Sequence, residues 1–211
     1  MSKYNCMVKK YSVLFGISIG AFLLIISTIY YPGGTYENAS SEGYDWANNY
    51  ISNLLNPLAV NEEKNTARPI AIFGVLLLTA SFGLFFVKFS KRIKIKSASL
   101  IIKYCGILAT VFGFMTVVPS MHDIMVTLTS ILTLLIFFYI TVIVIKSKLT
   151  LMKLMSIAFL LTFYFGAFMY FARYELEYMP TVQKVIFLIK IVWVLSLEYF
   201  TKKGDFEHII K

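Results

Sequence analysis

Six stretches of this 211-residue chain are each long and apolar enough to cross a bilayer, and they leave room for little else. A spanning helix needs about 20 mostly apolar residues, because the hydrocarbon core is roughly 30 Å thick. The stretches cover 11–31, 69–89, 97–119, 121–145, 151–172 and 180–200. Hydrophobic residues make up 58% of the chain and charged residues 15%. Soluble domains average about 45–50% and about 25%, so a water-soluble globule is excluded. The expected fold is all-α: a polytopic membrane bundle of six transmembrane helices in one domain over 1–211, with a long loop over 32–68. The first stretch is longer than the apolar core of a signal peptide, about 7–15 residues, and no A-x-A site follows it, so it is read as a retained span. Internal repeats of the kind that build inverted-repeat transporters are not apparent.

Charge sets the expected orientation. Lys3, Lys9 and Lys10 precede the first span, and Lys88, Lys91, Arg92, Lys94 and Lys96 fill the second connection. Lys146, Lys148 and Lys153 fill the fourth connection, and Lys202, Lys203 and Lys211 lie in the tail. The alternate connections carry Glu37, Glu42, Asp45, Glu62, Glu63, Asp123, Glu175 and Glu177, with few cations among them. Positive charge stays on the cytoplasmic side during insertion. Both termini are therefore expected inside and the long loop outside. This accounts for the net charge of +9 without nucleic acid; membrane lipids are the expected partners, other membrane proteins possible ones, and a prokaryotic plasma membrane the expected location.

Within the long loop, segment 44–56 alternates with a helical period. Trp46, Ala47, Tyr50, Ile51, Leu54 and Leu55 fall on one side, and Asp45, Asn48, Asn49, Ser52, Asn53 and Asn56 on the other. That pattern predicts an amphipathic helix lying in the interface, ended by Pro57. Its ridge of Asp45, Asn49, Ser52 and Asn56 either faces water or roofs an outward-facing site. Asn38-Ala39-Ser40 matches a glycosylation acceptor in the same loop.

Polar residues at membrane depth are the other candidates. Asp123, Thr127, Ser130 and Thr141 share one stripe of the fourth span, and His122 stands beside Asp123 at its outer mouth. Lys190 is the strongest anomaly, near the middle of the sixth span with no acid at matching depth. A lysine at a helix centre costs roughly 2.5–3.5 kcal/mol, so it is expected to face protein, water or an anionic ligand. Gln183 lies on the same face and Lys184 near the outer end, whereas Lys103 and Glu198 read as snorkelling anchors. Six spans and no counter-ion argue against a retinal-type lysine. Gly16-x-x-x-Gly20, Gly106, Ala109 and Gly113 mark close helix contacts.

Tyr50-Ile51-Ser52-Asn53-Leu54 after a Tyr-Pro ending, Ala67-Arg68-Pro69-Ile70-Ala71-Ile72-Phe73 opening the second span, and Val118-Pro119 ahead of His122 resemble a known pattern. It is that of the domain-of-unknown-function family 998, six-span membrane proteins distantly similar to the FRAG/DRAM/Sfk proteins. The family usually shows Ile-Ser-Asp-Leu-Gly, where this chain has Asn53 and Leu55 in place of the acid and the glycine. The resemblance implies a six-span architecture and adds weight to a lipid-linked role; it implies no defined activity.

Three function classes follow. The first is a lipid- or headgroup-interacting accessory protein, with Lys190, Gln183, Lys184, Asn49, Arg68, Thr127 and Ser130 as candidate ligand-binding residues. The second is a metal-free lipid-processing enzyme, with Ser52, His122 and Asp123 as weaker catalytic candidates. The third is a small-solute transporter or channel. No cofactor or metal is expected. The two histidines are expected on opposite sides of the membrane, and a catalytic zinc needs about three protein ligands. Cys6 and Cys105 are not placed for a disulfide.

Overall fold

The computed structural model describes the backbone of residues 3–209 and the side chains from residue 10 to 209. Cys6, Lys3, Lys9 and Lys211 therefore fall outside the described side chains. Six helices are long and apolar enough to span a membrane. They are α1 (Lys3–Ile29), α2 (Arg68–Ser90), α3 (Lys96–Met115), α4 (His122–Lys146), α5 (Thr150–Ala172) and α6 (Met179–Phe200). No strand occurs among the described residues, only two isolated bridges in the long loop. The chain is an all-helical, multi-pass membrane protein.

Local chemistry sets the helix ends. Pro69 and Pro180 sit in the first turns of α2 and α6, where the missing N–H has no intrahelical partner to lose. Pro119 follows the end of α3, which stops at Met115, four residues short of the apolar stretch. Arg173 ends α5 in the left-handed region at φ 53°. Helices adjacent in sequence are adjacent in space, and α6 closes the ring against α1 and α2.

Small residues set the tightest contact. A Cβ on Gly20 would lie 2.8 Å from the carbonyl oxygen of Gly74, and one on Gly74 would lie 2.9 Å from that of Gly20, so α1 and α2 meet backbone to backbone. Close approach of this kind replaces the hydrophobic effect, which does not act between helices in lipid.

The end of the bundle near the termini is sealed. Phe85, Phe89, Phe137, Phe159 and Trp193 are all at most 1% exposed and form a connected aromatic cluster. Phe159 stacks on Trp193 at 4.5 Å between centroids, and the indole donates to Ser156 Oγ at 2.8 Å. Beyond α6 the chain turns under the bundle, where Phe206 packs edge-on against Phe89 at 5.6 Å.

Two expectations are corrected here. Glu198 is not a snorkelling anchor: it is buried, and it pairs with both Arg92 and Lys88, the latter at 3.2 Å. The Arg92 guanidinium also donates to the carbonyls of Leu197 at 2.7 Å, Glu198 at 3.1 Å and Thr201 at 3.3 Å, so it caps α6 as well as neutralising Glu198. Segment 44–56 is not an interfacial α-helix either. It forms a turn near Trp46–Asn48 and a 3-10 helix over Ile51–Leu55, because asparagine side chains take over backbone groups. Asn49 Oδ1 accepts from the N–H of Asp45 at 2.9 Å, and Asn53 Oδ1 from that of Tyr50.

Candidate functional site

At the loop end the ring of helices does not fill its own centre. A cavity of about 1460 Å³ lies between α2, α4, α5 and α6, with the 3-10 helix of the loop at its mouth. On each helix the lining stops at a definite level. It ends at Phe82 on α2, Ser130 on α4, Phe163 on α5 and Lys190 on α6. Below these, Phe85, Ile136, Phe159 and Trp193 are sealed. The cavity is therefore blind toward the termini.

Lys190 stands at the floor. Its side chain is partly buried in the bundle, and it lines the cavity. Nζ lies 4.1 Å from the centroid of Phe82 and 5.8 Å from that of Phe137. Its ammonium has no hydrogen-bond or ion-pair partner among the described residues; the only ion pairs there both involve Glu198. Cation–π contact contributes about 0.5–2 kcal/mol, which does not offset the cost of roughly 2.5–3.5 kcal/mol for a lysine at membrane depth.

The other candidates divide into two groups. Gln183, Thr127, Ser130, Ser52, His122 and Asp123 all line the same cavity as Lys190. Gln183 Oε1 accepts from the N–H of Ile51 at 2.8 Å and so ties α6 to the loop as well. His122 Nδ1 lies 2.6 Å from the carbonyl oxygen of Thr116; a carbonyl only accepts, so Nδ1 carries the proton. Ser52 makes no hydrogen bond to His122 among the described residues.

The second group is occupied in building the loop. Asn49 is fully buried, and its amide nitrogen donates to Gly34 O at 2.8 Å. Lys184 Nζ donates to the carbonyls of Asn49 and Pro180, which clamps the loop onto α6. Arg68 Nε donates to Leu55 O at 2.9 Å. None of these three lines the cavity. Asp45 does not reach it either. The Asn48 side chain, then the N–H of Ala47, hold the Asp45 carboxyl below its ordinary value.

The cavity mouth has residues that the sequence reading did not single out as a site. Tyr36, Glu37, Tyr50, Tyr170 and Glu177 line it. Tyr36 and Tyr50 meet edge to face at 6.2 Å, and the Tyr50 hydroxyl reaches Leu176 O at 3.4 Å. Burial, with Tyr36 and Tyr170 as neighbours, pushes the Tyr50 phenol up. The available signal was the pairing of tyrosine with glutamate in both connections, Tyr36-Glu37 and Glu177-Tyr178.

Fold and site together define a polytopic membrane protein with a one-ended cavity that has Lys190 at its floor. No protein-family model, curated protein or solved structure matches the chain.

Proposed function

We propose that this protein binds an anionic group, carried by a lipid or a lipid headgroup, in the cavity open at its loop end. The observation that carries the reading is Lys190, an ammonium facing the floor of the cavity with aromatic rings but no acid beside it. The ring quadrupoles steady the charge without neutralising it, so the site keeps its attraction for an anion. Thr127 and Ser130 add hydroxyl groups on the wall of α4.

We infer an outward-facing mouth, because the lysine-rich connections gather at the opposite end. The sealed aromatic layer below Lys190 supports binding over transport, since no lining residue continues past it. The absence of a Ser52–His122 hydrogen bond supports binding over a serine–histidine hydrolase, which needs its nucleophile and base within reach.

Native mass spectrometry of the chain purified in mild detergent tests this. The wild type is expected to retain an anionic amphiphile, and Lys190→Leu to lose it. No bound amphiphile in either form would overturn the reading, as would equal retention in both.

A further inference from the structure

The mouth of the cavity has the opposite chemistry from its floor. Three carboxylates face it from three separate elements: Glu37 from the loop, Asp123 from α4 and Glu177 from the α5–α6 connection. None of the three is in an ion pair among the described residues, and Arg173 is the only arginine or lysine on that rim. Beside them stand the rings of Tyr36, Tyr50 and Tyr170. Aromatic faces combined with unpaired carboxylates attract an alkyl-ammonium or quaternary ammonium group. An acidic rim repels a simple anion on its way to Lys190.

Between the poles the wall is largely apolar, with Leu78, Val126, Phe163 and Phe187 facing the cavity. The separation of the poles can be read along α4. Asp123 opens that helix and Phe137, beside the Lys190 ammonium, lies fourteen residues further on. At about 1.5 Å per residue that is at most roughly 20 Å of helix axis, since Phe137 lies below Ser130, the last α4 residue on the cavity wall. The path along α6 from Met179 to Lys190 gives a similar depth, about 16 Å. A headgroup that carries both charges on neighbouring atoms is too short to reach both ends. Diacyl tails pushed down the cavity would bury an unpaired ammonium against hydrocarbon.

We propose that mouth and floor are the two poles of one ligand site, which takes a single-chain amphiphile with an ammonium at one end and a carboxylate at the other. The carboxylate sits on Lys190, the alkyl chain lies along the apolar wall, and the ammonium sits among Tyr36, Tyr50, Glu37 and Glu177. The floor pole rests on the function proposed above; the mouth pole is independent of it.

The full chain in neutral maltoside detergent, titrated with aminododecanoate, dodecanoate and dodecylamine by equilibrium dialysis, separates the two ideas. Aminododecanoate is expected to bind at least about tenfold more tightly than dodecanoate, the equivalent of about 1.4 kcal/mol from the ammonium pole. The double variant Glu37→Gln/Glu177→Gln, both changes on exposed side chains, is expected to remove that advantage and leave dodecanoate unchanged. Lys190→Met is expected to weaken both acids.

Equal binding of the two acids to the wild type, still sensitive to Lys190→Met, would overturn the mouth pole and leave the anion site standing. Unchanged selectivity in the double variant would do the same. Failure of all three to bind would overturn both poles; binding of dodecylamine alone would overturn the anion site, and with it the two-pole ligand, while leaving an ammonium site at the mouth.

Discussion

Lys190 and Glu198 lie two turns apart on the same helix and are treated in opposite ways. Glu198 is buried among Arg92, Lys88 and the end of α6, so its charge is fully answered. Lys190 has ring faces and cavity space. Removing one member of a buried ion pair costs about 3–5 kcal/mol, because the survivor is left charged and unpaired. Arg92 carries the larger share of that contact, since it also donates to three carbonyls and to Thr201 Oγ1. Arg92→Met is therefore expected to lose about 3–5 kcal/mol. Lys88→Met should lose less, about 1.5–3 kcal/mol for one charged contact. Replacing both members together, as Arg92→Met/Glu198→Leu, should recover much of the loss, because the buried carboxylate is gone and the remaining charge, Lys88, is the more exposed member of its pair. Thermal unfolding in detergent ranks the three variants, and a Lys88→Met loss as large as that of Arg92→Met would contradict this assignment.

The helices answer to packing rather than to amphipathicity, and small residues decide where they meet. Gly20→Ala would push a methyl to 2.8 Å from the Gly74 carbonyl oxygen and 2.7 Å from Leu78 Cγ. The carbonyl belongs to a helix backbone and cannot turn aside. Overpacking of this kind costs about 1–3 kcal/mol, which outweighs the roughly 1 kcal/mol that alanine gains over glycine in a helix. Gly166→Ala meets the terminal methyl of Ile186 at 2.2 Å, the far end of a flexible side chain, and should be nearly neutral. Melting temperatures of the two variants test this: Gly20→Ala is expected to fall well below wild type and Gly166→Ala to stay near it. The six helices were legible from hydropathy because lipid demands about 20 apolar residues wherever the chain crosses. Segment 44–56 was misread because its apolar period is real, but Asn49 and Asn53 capture backbone N–H groups that a helix needs. Lys190 was legible as an unpaired charge in an apolar run. The Arg92–Glu198 pair was not, since the partners lie far apart in sequence and only the closure of α6 onto α2 brings them together. The mouth was hidden for the same reason, being assembled from three connections.

For the molecule as a whole, the sealed layer and the charge distribution combine into one accessibility pattern. The lysine-rich connections lie at the end where Arg92 caps α6 and His208 reaches Lys146 O, while the acidic loop lies at the open end of the cavity. On the orientation inferred above, with the basic end in the cytoplasm, the cavity should fill from outside only. Ser130 is on the deep wall of the cavity and Leu197 lies within the sealed layer at 0% exposure. In a background with Cys6 and Cys105 replaced by serine, Ser130→Cys should react with a membrane-impermeant thiosulfonate added to intact cells. The same variant in inside-out vesicles should stay unlabelled, and Leu197→Cys should stay unlabelled in both. A transporter that alternates between faces would expose Ser130→Cys from both sides in turn, because the aromatic layer of Phe85, Phe137 and Trp193 would have to part on each cycle. Labelling only from inside-out vesicles would reverse the orientation while keeping the one-ended cavity. Labelling from both faces would remove the blind cavity itself, and with it the reason for reading Lys190 as the floor of a binding site.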